Sequence, residues 1–170
     1  PASALWIDRP YGTGYRGWGN LDFDSSFPNP AQMIADLQSN GMNLMLWIAN
    51  RCYATNYLYT NGLALGYLFP GIDPPNGPAA DLRITNAWTW FQSNLNTFVN
   101  MGIKGYKIDR GDEGELPNDV QNRNITLLQK LASEGISAAY PNDSFIFSRN
   151  VCDTGRKYSA VWNGDTAATF

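Results

Sequence analysis

Hydrophobic positions along the chain switch repeatedly between two spacings. Ala4 to Ile7 is a short apolar run that ends at Asp8 and reads as a strand. A loop rich in glycine and aromatic residues follows, from Tyr11 to Phe27. Asn29 and Pro30 have the character of an N-cap and a first helical residue, Met33, Ile34 and Leu37 recur at helical spacing, and Gly41 supplies a stop. Asn43 to Ala49 is nearly all apolar, as a strand covered on both faces must be. Asn50 to Ala80 is long, proline-rich and without clear periodicity, so it is expected to be a loop, and loops of that length are often functional. Thr85 can cap a second helix that places Trp88, Phe91, Leu95, Phe98 and Val99 on one face and ends at Gly102. Ile103 to Ile108 is the next strand, ending at Asp109. A third helix is expected from Asn118 to Glu134, with Ile125, Leu127, Leu128 and Leu131 inward. Ser144 to Ser148 and Tyr158 to Trp162 complete five strands, with Asp165 just past the last.

Helices between strands imply right-handed crossovers and a parallel sheet. Polar residues gather at one end of it. Asp8, Asn50, Arg51, Asp109, Arg149 and Asp165 all stand at or just past a strand's C-terminal end. Parallel barrels and doubly wound sheets both put their sites there, but no glycine-rich phosphate loop follows the first strand, which favours the barrel. The expected fold class is therefore α/β: part of a TIM (β/α)8 barrel, with about five parallel strands and the rest outside this chain, residues 1–170 forming a single partial catalytic domain. The chain opens without Met and almost directly in a strand, the pattern of an excised piece, so the lack of a visible signal peptide says little about the parent.

Composition narrows the chemistry. The net charge of −3 argues against a nucleic-acid partner, which needs a basic face, and no apolar run is long enough for a membrane span. Histidine is absent, which removes Ser–His and Cys–His nucleophile schemes and the commonest metal ligand. Acid–base work then falls to carboxylates, Tyr or Lys, and neither cofactor nor metal is called for. Cys52 and Cys152 form no local motif, and whether they pair is open. The high aromatic content, 14%, suits either core packing or a sugar site in which flat rings stack on a pyranose. Two sequons, Asn124-Ile-Thr126 and Asn142-Asp-Ser144, are compatible with a secreted glycoprotein.

Two segments carry the candidate chemistry. From Asp109 to Glu115 four carboxylates fall within seven residues; the run reads as a solvated acidic loop, a calcium loop or a catalytic strand end. Asp109 is the first polar residue past an apolar strand and so is rigidly held. Lys107, two residues earlier, points to the same side and would favour its ionised form. In the second segment Gly164 permits a tight turn before Asp165, Trp162 offers an apolar wall that would keep a proton on that carboxyl, and Arg149 would hold a neighbouring carboxylate ionised. One ionised and one protonated carboxyl is the pair that glycoside cleavage requires.

At these residues the chain resembles glycoside hydrolase family 31, the α-glucosidase and α-xylosidase family. Trp6-Ile-Asp8, with Phe23-Asp24 and Phe27-Pro28, resembles that family's third barrel strand and its FD…FP segment. Lys107-Ile-Asp109 is similar to its nucleophile strand. Ser148-Arg149 and Trp162-Asn-Gly-Asp165 resemble its S-R…W-x-G-D pattern, with the same thirteen residues from Arg to Trp and three more to Asp. The resemblance implies that Asp109 is the nucleophile and Asp165 the acid/base, that Asp8 binds sugar hydroxyls, and that Arg149 and Trp162 line the subsite of the cleaved sugar. Lys107, Arg110 and Trp47 complete the candidate substrate-binding set. The implied reaction is retaining hydrolysis of α-linked glycosides, with the two carboxyls about 5–5.5 Å apart. Arg110-Gly-Asp-Glu-Gly-Glu115 departs from the Met-Asn-Glu-Pro that many α-glucosidases carry, and the family's later substrate-binding His has no counterpart. The implied partners are a carbohydrate and the rest of the parent barrel, without which the piece is not expected to be competent. α-Galactosidase action, transglycosylation, a non-catalytic sugar-binding module and a metal-dependent hydrolase built on the acidic run are the competing readings.

Overall fold

The computed structural model describes residues 3–72, 77–111 and 115–165. Five strands form one sheet: β1 (Ala4–Ile7), β2 (Asn43–Ile48), β3 (Gly105–Ile108), β4 (Phe145–Ser148) and β5 (Ala160–Val161). Every neighbouring pair is parallel and the order is β1-β2-β3-β4-β5. A doubly wound sheet would reverse its order at a switch point. A sequential parallel order with helices on one side is a run of barrel strands.

The helices are α1 (Pro30–Ser39), α2 (Tyr57–Ala64), α3 (Thr85–Met101) and α4 (Gln121–Ala139). Asn29 occupies the N-cap of α1 with Pro30 at the first turn, and Gly102 ends α3 in the left-handed region at φ 104°, where a side chain would be strained. Alternate residues of each strand face these helices. Leu44, Leu46, Ile48, Tyr106, Ile108 and Ile146 pack with Ile34 of α1, Phe91, Leu95 and Phe98 of α3, and Leu128, Leu131 and Ile136 of α4 in one core. The other strand face carries Trp6, Phe145 and Phe147, linked edge-on or stacked at 5.9–6.1 Å, and Trp6 and Phe145 are more than half exposed. The chain is thus part of a TIM barrel, described on its outer core and on one wall of its interior. Among the described residues no helix is long and apolar enough to cross a membrane.

Four expectations need correction. Thr85 does not cap α3: it is the first helical residue, and Ile84 occupies the N-cap position with no side-chain cap hydrogen bond. The segment from Asn50 to Ala80 is not all loop, because α2 lies inside it. Its sequence, YLYTNGLA, is apolar nearly all round and so shows no stripe; it is held by burial of Leu58 and by Gly62, where a Cβ would meet Leu68 and Trp90 at about 3 Å. The third long helix starts three residues late, because residues 118–120 form a turn in which Val120 N–H bonds the Pro117 carbonyl. It also continues past Gly135, which is no stop signal but a close-approach position: a Cβ there would stand 3.1 Å from Asn96 Oδ1 of α3. Tyr158 to Trp162 contributes only two paired residues, Ala160 and Val161. Cys52 and Cys152 are both free thiols, and burial pushes Cys52 up to about 12.

Candidate active site

Strand register decides which side chains share the inner face. Trp47, Lys107, Phe147 and Ala160 lie in one row across β2 to β5. Two residues further along each strand come Asp109, Arg149 and Trp162, so alternation puts them on the same face, one layer nearer the C-terminal end. The ladder extends just far enough to hold that layer. Asp109 N–H donates to the Ile48 carbonyl at 3.0 Å, Arg149 N–H to Ile108 at 3.1 Å, and Trp162 N–H to Ser148 at 3.0 Å.

Asp109 is 7% exposed and is gripped on both oxygens. Oδ2 accepts the Trp47 indole N–H at 3.0 Å. Oδ1 accepts the backbone N–H of Arg110 at 2.8 Å and lies 3.1 Å from Arg149 Nε. The two N–H bonds, from Trp47 and Arg110, fix the carboxylate's orientation, as hydrogen bonds to a charged group are about twice as strong as neutral ones, and the Arg149 Nε contact adds an ion pair. Lys107 has a different partner from the one its sequence position suggested. Its Nζ bonds Asp8 Oδ2 at 2.7 Å and stands 4.3 Å from the centre of the Trp162 ring. Asp8 and Lys107 belong to alternate strands, β1 and β3, whose side chains fill a common layer. Arg149, not Lys107, is the cation on Asp109.

Trp47, expected among the sugar contacts, is 1% exposed. Trp18 packs edge-on to it with ring centres 4.6 Å apart, the Arg9 guanidinium lies over it at 5.4 Å, and its carbonyl accepts the Tyr11 hydroxyl at 2.7 Å. It meets the site through its N–H rather than as an open stacking platform. Trp162 is half-buried against Phe147 and Lys107. Arg110 adopts φ 69°, and burial, then the guanidiniums of Arg51 and Arg9, pull it below the ordinary range for arginine. Arg9 was not foreseen; its only sequence signal is that it follows Asp8 at a strand end.

Gly164 explains the turn before Asp165. Its φ is 79°, and a Cβ there would stand 3.0 Å from Arg149 Cδ. The backbone of the turn thus lies against the stem of the arginine that holds Asp109, and Asp165, exposed to solvent, is the next residue. In the acidic run, Asp112 and Glu113 lie outside the described residues, whereas Glu115 is fully buried and accepts Gly111 N–H at 2.8 Å, so that position is no solvated loop. Among the described residues no three His, Cys, Asp or Glu side chains form a metal-binding group. The cavity behind β3, lined by Asn50, Arg110, Asn124, Gln129, Ser148 and Asn150, measures about 10 Å³ and admits nothing larger than a water. Asn124 uses its amide internally, accepting Leu82 N–H at 3.0 Å and donating to the Ala80 carbonyl at 3.1 Å, so its sequon is closed in the fold, while Asn142 is exposed.

Comparison with known proteins bears on this arrangement. Residues 1–170 match the profile of the Glycosyl hydrolases family 31 TIM-barrel domain. An α-xylosidase of Emericella nidulans is 26% identical over 191 residues, covering all of this chain and 24% of the relative. An isomaltosyltransferase of Sporosarcina globispora is 25% identical over 190 residues, covering 94% of this chain and 17% of its own length. Among solved structures, a family 31 α-xylosidase from a soil metagenome, complexed with xylose, superposes with a TM-score of 0.82 at 21% identity, over 99% of this chain and 28% of the other. The chain therefore spans about a quarter or less of the curated relatives it matches.

Proposed function

The chain belongs to glycoside hydrolase family 31, and on that premise we propose that it supplies both catalytic carboxylates of a retaining α-glycosidase of the α-xylosidase or α-glucosidase type. The observation that carries this reading is the grip on Asp109. A buried carboxylate at a barrel strand's C-terminal end, with Trp47 on one oxygen and Arg149 beside the other, is aimed rather than merely tolerated. In the proposed mechanism Asp109 attacks the anomeric carbon while Asp165 protonates the departing glycosidic oxygen. Asp165 then deprotonates a water, which attacks the same carbon and releases the sugar from Asp109 with net retention. Asp8, fixed by Lys107, is the proposed acceptor for sugar hydroxyls, and Trp162 the apolar wall of the same subsite.

The test is made on the full-length protein, with p-nitrophenyl α-xyloside, α-glucoside and α-galactoside. Asp109→Ala should lose activity by several orders of magnitude, and azide should restore turnover with the opposite anomer as product. Near-normal activity in that variant would sink the assignment. Transfer to a sugar acceptor shares the covalent intermediate, and the likeness to an isomaltosyltransferase keeps it as the second reading; product analysis with and without added acceptor separates the two. The exposed Asn142 sequon supports the further proposal of a secreted protein, with a glycan there and not at Asn124.

A further inference from the structure

Arg149 and the backbone N–H of Arg110 both reach Oδ1 of Asp109, yet both stand where the strand ladder ends. The segments beyond them are held by side-chain amides instead. Asn150 donates its Nδ2–H to the carbonyl of Arg110, tying the chain after β4 to the chain after β3. Gln129, in the middle of α4, donates its Nε2–H to the carbonyl of Asn150 at 2.8 Å. Gln129 is completely buried on a face otherwise made largely of Ile125, Leu128, Ala132 and Ile136. An amide there has given up its hydration, and the group it satisfies is a main-chain carbonyl one residue past Arg149. Its Oε1 would stand 2.2 Å from a Cβ at Gly155, so the short 3-10 turn Asp153–Lys157 also packs against it.

We propose that Gln129 and Asn150 are positioning residues for the nucleophile. Gln129 of α4 holds the Asn150 carbonyl and Asn150 holds the Arg110 carbonyl; these anchors, one peptide past Arg149 and Arg110, fix the backbone that puts the Arg110 N–H and the Arg149 guanidinium on one oxygen of Asp109. This deepens the glycosidase reading and rests on it. An error of about 1 Å in such a placement costs on the order of 100-fold in rate, so a residue remote from the sugar can control turnover.

The experiment uses the full-length protein carrying Gln129→Met, which keeps the volume and removes the donor, and separately Asn150→Ser. A control, Glu134→Ala, lies on the exposed side of the same helix. An α-configured cyclophellitol epoxide, which esterifies the nucleophilic carboxylate, is the probe, followed by intact mass and peptide mapping beside kcat, KM and Tm. Gln129→Met and Asn150→Ser should be labelled about tenfold or more slowly, with kcat lowered alike and KM within about threefold, while the control stays at the parent rate. If Gln129→Met does not fold, Asn150→Ser, in the irregular segment, carries the test. A lower Tm with unchanged labelling and kcat would make the pair merely structural and overturn the proposal. Label found on another residue of the parent protein would instead overturn the nucleophile assignment, and is told apart by its peptide.

Discussion

Replacing Arg149 with Met, and Asp109 with Asn, singly and together, measures how strongly the site's central ion pair is coupled. Arg149 Nε stands 3.1 Å from Asp109 Oδ1, with the two side chains 19% and 9% exposed. At that separation and an effective dielectric near 20, the bare attraction is about 5 kcal/mol. Desolvation of both groups takes back much of it, but removing one partner of a buried pair costs about 3–5 kcal/mol, because the other charge stays behind. Arg149 makes further contacts, so the single Arg149→Met change overstates the pair. The double-mutant cycle isolates it, and the expected coupling is about 1.5–3 kcal/mol. The assay is urea unfolding of the four proteins followed by tryptophan fluorescence, which Trp47 and Trp162 bring close to the pair. A coupling below about 0.5 kcal/mol would mean that the contact is incidental, and the claim that Arg149 orients Asp109 would be withdrawn.

Three further outcomes are expected. Trp47→Phe keeps an aromatic ring but deletes the N–H on Asp109 Oδ2; a hydrogen bond to a charged group is worth about 1.5–3 kcal/mol, so steady-state kinetics should show kcat falling about 10- to 100-fold with KM little changed. Gly164→Ala forces a side chain into the left-handed region against Arg149 Cδ and should cost about 1–2 kcal/mol in the thermal transition together with activity, whereas Asn163→Ala beside it should be close to neutral. Cys52, raised from 9.0 to about 12 by burial, stays protonated in the fold at pH values where the unfolded chain ionises; the unfolded state then binds fewer protons, so stability should fall as pH rises from about 9 towards 12, and Cys52→Ala should flatten that limb in a pH series of unfolding midpoints.

Much of this site was legible along the chain because a parallel barrel makes it so. A residue that directly follows an apolar strand must emerge at the strand's C-terminal end, and Asp109 and Arg149 do. The spacing from Arg149 through Trp162 to Asp165 carried the family resemblance, and Gly164 in that run has a physical cause in its φ and its contact with Arg149. Helix ends were legible where backbone geometry demanded a residue type, as at Pro30 and Gly102. They were not where tertiary contact overrode the local signal: Gly135 sits mid-helix because α3 approaches it, and α2 has no amphipathic stripe to read.

The partners of the site residues belong to the fold alone. Lys107 is two residues from Asp109 in sequence, yet it pairs with Asp8, ninety-nine residues away, because alternate strands fill one layer of the barrel. Trp47 stands in the sequence among the candidate substrate contacts; in the fold Trp18 and Arg9 pack over it and its N–H donates to Asp109. Gln129 carries no mark in the helix pattern beyond being a polar residue on an apolar face. The chain's own periodicity determined most of the strand–helix alternation and which polar residues would stand at strand ends, since both follow from local geometry. Which side chains meet there depends on strand order and register, and those are set by closure and packing across the whole sheet.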